Sequence, residues 1–148
     1  MTRSINFGVI VLTIAMTVGC SKGTSSLRVD QIDVLAKDSE TGRWYSQAIL
    51  DQGRQLFQRH CVACHGKEAE ATADWKTRTA TGHYPPPPLN GSAHAWHHPL
   101  SVLVQVISEG GAPMGGVMPA WKGVLTEQEM LSTIAAFQHY WPDKIYER

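Results

Sequence analysis

Cys61, Val62, Ala63, Cys64 and His65 form a Cys-x-x-Cys-His run. Two thiols at that spacing share one face of a helical turn, with the imidazole next in line. Thiols so placed can add across two vinyl groups of a macrocycle, and the histidine then offers a neutral nitrogen to its metal. The pattern is that of c-type haem attachment. Other chemistries use part of it. Half of a zinc site would need more donors; there is no second cysteine pair, although His97 and His98 could complete a site with His65. A thioredoxin-like redox pair wants a βαβ context, which is absent. A Cys61–Cys64 disulfide would leave the long loops of this chain without a core.

An iron held by His65 has a second axial position. Residues 110–121 read Gly-Gly-Ala-Pro-Met-Gly-Gly-Val-Met-Pro-Ala-Trp. A glycine-rich loop can press its backbone against a flat ligand. Met114 and Met118 lie off any helical stripe, so neither is explained as core filler. Pro119 fixes the chain just past Met118, which makes Met118 the expected ligand, with Trp121 covering the ring edge. His94, His97 and His98 cluster around Trp96. They suggest either a second metal site, such as copper, or a loop over the haem edge. In the loop reading Trp96, a histidine or Tyr84 hydrogen-bonds the propionates. His60 is expected to be exposed.

These residues need elements to position them. Apolar spacing predicts helices over Trp44–His60, Pro99–Glu109 and Thr126 to about Tyr140. Gly53 inside the first costs about 0.8–1.0 kcal/mol against Ala, so it suggests close approach of another helix. Pro99 suits a first turn and Gly110 a left-handed stop. Thr126 with Glu129 makes a capping box, and Pro142 ends the third helix. No alternating run is long enough for a strand, so the fold class is all-α. Three short helices joined by long loops have little interior of their own. The loops are expected to wrap an apolar object.

The chain has 148 residues, 13 basic and 13 acidic, which excludes a strongly basic nucleic-acid binder. Its three cysteines are an odd count, unsuited to a paired disulfide framework. Arg3 precedes an apolar run from Ile5 to Val18, the length of a signal-peptide core and short of a membrane span. The run ends in Thr17-Val18-Gly19-Cys20, which resembles a bacterial lipobox except for Thr17, where Leu is usual. Ordinary cleavage at the same bond would leave a free Cys20. Both readings export the protein; an exposed lone thiol is reactive, which favours the lipid. The expected organisation is a signal peptide over 1–19, a lipid-anchored flexible linker over 20–42 and a haem domain over 43–148.

Over about 43–142 the chain resembles a small class I cytochrome c of the single-haem bacterial kind. The resemblance rests on Cys61 to His65, on Met118-Pro119-Ala120-Trp121 and on the order of the helices. It implies a cytochrome c fold wrapped around one covalent haem c. Gly53 and Phe57 match the family's first helix, and Phe137 the aromatic of its last. Pro87-Pro88-Leu89-Asn90-Gly91 matches a proline-bearing loop whose carbonyl, here that of Pro87, accepts the proton of the other His65 nitrogen. The stretch from Lys67 to Pro86 and the run from His94 to Pro99 depart from the family pattern.

With His65 and Met118 both on the iron, the implied function is one-electron carriage, not catalysis. Partners would be redox proteins such as a terminal oxidase or reductase, on the periplasmic side of a bacterial membrane. The chain would reach that membrane through its N-terminal lipid. Arg54, Arg59, Lys67 and Lys122 are candidates to ring the docking edge. The alternatives are a peroxidase-like or ligand-binding haem protein, and a haem sensor or assembly subunit of a larger respiratory complex.

Overall fold

The computed structural model describes residues 28, 37–38 and 40–148. The expected signal peptide, Cys20 and most of the linker lie outside the described residues.

Among the described residues five α-helices follow in order: α1 Gln47–His60, α2 Val62–His65, α3 Leu100–Glu109, α4 Glu127–Gln138 and α5 Asp143–Tyr146. Single 3-10 turns occupy Ala95–His97 and Ala112–Met114. Among the described residues there is no strand, only isolated bridges at Tyr84–Gly116 and Lys122–Leu125. The fold is all-α, as expected for a cytochrome c.

α1 starts three residues later than its apolar spacing predicts. Ser46 is extended and its side chain accepts from the N–H of Ile49, which sets the start. Trp44 and Tyr45 are thereby released to pack across the fold. The Trp44 indole donates to Gln138 Oε1 at 2.7 Å, and Tyr45 is fully buried. Thr126 and Glu129 form the capping box that begins α4. Pro99 caps α3 from outside the helix.

α4 is buried from Met130 through Gln138, and α1 crosses it. Their backbones touch at Gly53. A Cβ built there would lie 1.8 Å from Ser132 O. Gln52 accepts from Ser132 Oγ at 3.1 Å beside the contact. A helix buried on most of its faces is the central element of a core. Around it gather Leu56 and Phe57 of α1, Leu103 and Ile107 of α3, and Trp141 after α4. The Trp141 indole donates to Leu89 O at 2.7 Å, which docks the proline loop on the end of the core.

Candidate functional site

The site begins where α1 ends. Cys61 N–H still bonds Phe57 O, and the amides of Cys64 and His65 both bond Cys61 O, so the chain turns into α2 at once. The two cysteines therefore sit one turn apart, Cys61 half-buried against the core and Cys64 exposed. His65 is buried. Its Nδ1 lies 3.2 Å from Pro87 O and donates to it. Burial lowers the His65 pKa, while the Pro87 carbonyl opposes that shift. The ring is thus a neutral imidazole, pinned at Nδ1, with the lone pair of Nε2 left to offer.

Burial, helped by Cys64, pushes the Cys61 thiol up to about 11. A redox or nucleophilic cysteine needs the opposite shift. Among the described residues no group of three His, Cys, Asp or Glu side chains could hold a metal ion.

The methionine loop is built by glycines. Gly110 has φ +83° and ψ 179°, a region only glycine enters freely. A Cβ there would come within 2.7 Å of Met118 O, and one on Gly111 within 3.1 Å of Met118 Cβ. The chain can therefore fold back on itself, and Gly111 N–H donates to Met118 O at 2.9 Å. Met118 is half-buried against the core, whereas Met114 is 55% exposed. Trp121 N–H donates to Ile107 O at 3.0 Å, fastening the loop to the end of α3.

His60 is half-buried, not exposed as its position beside Cys61 suggested. Its ring meets that of Trp121 edge-on at 5.0 Å, which covers part of it. Trp96 also packs on the core, but its indole N–H is given to Ala93 O at 2.7 Å. That donor is not available to a propionate in this conformation. The turn at Ala95–His97 gathers the histidines: His97 and His98 have ring centres 4.3 Å apart, and His94 stacks on Trp75 at 4.7 Å. Burial and the neighbouring histidines lower the pKa of His94 and of His98. Arg54 pairs with Asp51 and faces His139 at 3.0 Å, and shares a shallow groove with Lys67 and Tyr140.

One contact joins segments far apart along the chain. Tyr84, in the stretch outside the family pattern, donates its N–H to Gly115 O of the methionine loop at 2.9 Å. Arg78 lies over the Tyr84 ring, 4.2 Å from its centre. No apolar period or spacing signals such a pairing.

A neutral pinned imidazole, two thiols one turn apart and an inward thioether on a glycine-cradled loop are a donor set that fits a covalent haem. Residues 48–137 match the family described as cytochrome C oxidase, cbb3-type, subunit III. The chain belongs to this family. It is therefore a c-type cytochrome, an electron-transfer haem protein whose family implies covalent haem c. The chain is 30% identical over 115 residues to the cbb3-type cytochrome c oxidase subunit CcoP of Azospirillum brasilense, covering 76% of this chain. It spans 36% of that relative's length. No solved structure gives a significant match. No helix among the described residues is long and apolar enough to cross a membrane.

Proposed function

We propose that residues 43–148 form a single-haem cytochrome that carries one electron at a time between membrane-associated redox partners of the cell envelope. Cys61 and Cys64 would hold the haem through thioethers, and His65 and Met118 would be the residues that ligate its iron. Haem iron supplies the one-electron couple. The protein's own part is to keep that centre closed. Pro87 O holds the proton on His65 Nδ1, so the ring cannot turn without breaking a hydrogen bond. Gly110 and Gly111 hold Met118 against the core. Trp121 stands between His60 and the end of α3. A closed centre leaves no position for substrate, and a methionine ligand with burial favours a raised potential.

The observation that carries this reading is the His65–Pro87 hydrogen bond, together with Met118 turned inward. The chain is exported by residues 1–19 and tethered at Cys20 by lipid. Residues 20–42 link that anchor to the domain at the periplasmic face of a membrane. A terminal oxidase or reductase is the expected partner. Intact-mass measurement of the matured protein tests the haem assignment and its count. The expected result is the mass of one haem, lost in the Cys61→Ser/Cys64→Ser double variant. Two haem masses, or none, would contradict it.

A second reading is favoured by the oxidase-subunit relative: a haem subunit resident in a larger respiratory complex. Native electrophoresis of solubilised membranes separates the two. Migration as the free chain supports the carrier, and stable co-migration with an oxidase supports the subunit.

A further inference from the structure

The stretch that departs from the family pattern joins the two sides of the site. It leaves and returns beside His65. Ala71 N–H donates to His65 O, and Leu89 N–H to Ala69 O, each at 2.8 Å. Between these points the chain closes a turn, with Gly82 N–H on Thr79 O at 2.8 Å and Thr79 N–H on His83 O at 2.9 Å. Arg78 donates from Nη1 to Gly82 O and lies over the Tyr84 ring, its guanidinium carbon 4.2 Å from the ring centre. Tyr84 N–H then donates to Gly115 O at 2.9 Å, and Tyr84 bridges to Gly116.

Gly115 completes the arrangement. Its φ is +77°, and a Cβ built on it would sit 3.4 Å from both terminal nitrogens of Arg78 and 3.5 Å from Tyr84 Cδ2. The guanidinium is thus held between an aromatic ring and the backbone of the methionine loop. That loop is small and closed on itself. Gly116 N–H donates to Gly111 O and Gly111 N–H to Met118 O, each at 2.9 Å. A displacement of Gly115 is therefore passed through two hydrogen bonds to Met118. A segment with this much glycine has little stiffness of its own and needs an external hold.

We infer that residues 69–89 are a strap from the histidine side to the methionine side, and that Arg78 and Tyr84 are positioning residues for Met118. The inference rests on the reading of Met118 as the sixth ligand. The strap raises the energy of loop opening, and so resists entry of competing ligands at the iron.

The test uses the matured holoprotein, with imidazole as the competing ligand and amide hydrogen exchange at Tyr84 and Gly116 as a second readout. Arg78→Ala loses the cation–π contact. Imidazole affinity is expected to rise by roughly two- to thirtyfold, with faster exchange at both amides. Arg78→Lys keeps a cation for the ring but loses the planar fork, and is expected to fall between Arg78→Ala and the unsubstituted protein. Unchanged imidazole affinity and exchange in Arg78→Ala would overturn the strap. If the unsubstituted protein shows no far-red methionine–iron band, the ligand assignment of Met118 has failed separately. Exchange alone then decides the strap: faster exchange in Arg78→Ala supports it, and unchanged exchange overturns it.

Discussion

His65 carries its proton on Nδ1 because Pro87 O accepts it there, and burial keeps the ring neutral. Single residues divide the two methionines in the same way. Met118 follows a chain reversal that only Gly110 and Gly111 permit, and it ends half-buried. Met114 sits on a 3-10 turn at the tip and is 55% exposed. Met118→Ala should therefore abolish the far-red band of the oxidised protein and lower the potential, since a methionine ligand raises it. Met114→Ala should leave both unchanged. Spectra and a redox titration of the two variants check this. An unaltered spectrum in Met118→Ala would remove Met118 from the iron. At this scale the sequence was informative where chemistry is local: the cysteine spacing, the glycines and the proline after Met118 were all visible. The edge contact between His60 and Trp121 was not, because those residues meet only after α3 and its following loop have folded.

Helix capping and helix crossing govern the elements. The capping box at Thr126 and Glu129 was legible because its two bonds join residues three apart. The start of α1 was not, since Trp44 and Tyr45 continue its apolar pattern while Ser46 interrupts it. α2 and α5 are four residues each, too short to leave a periodic signal. Gly53 was legible as a point of close approach, and the 1.8 Å clash of a modest Cβ with Ser132 O gives that approach its measure. Two effects oppose each other in Gly53→Ala. Helix propensity would gain about 1 kcal/mol. Forcing α1 from α4 against backbone costs about 3 kcal/mol or more, the upper end for overpacking, because no flexible side chain can yield. The clash wins, and the unfolding midpoint of the holoprotein should fall by roughly 8–15 °C. Calorimetry checks it; a raised midpoint would mean that the helices do not cross at Gly53.

On the scale of the whole molecule, one buried cluster serves both stability and the site. Cys61, Leu89, Leu100, Val104, Met118 and Trp121 are half-buried and pack on that cluster from α3 and three separate loop or turn segments. Each retains apolar surface to bury, which fits an apolar group seated beside them. The sequence implied such a group from the length of its loops, but not how those loops find one another. The strap from Ala69 to Leu89 is a non-local arrangement, held by backbone bonds between segments about 20–30 residues apart, and such pairings leave no periodic trace. The central claim is a closed, six-coordinate centre. Its most direct test is the visible spectrum of the matured protein, oxidised, reduced, and reduced under carbon monoxide. A closed centre should show a weak far-red band when oxidised, sharp reduced bands, and no response to carbon monoxide. A carbon monoxide shift in the unsubstituted protein would contradict it, and would assign the chain to ligand-binding haem chemistry.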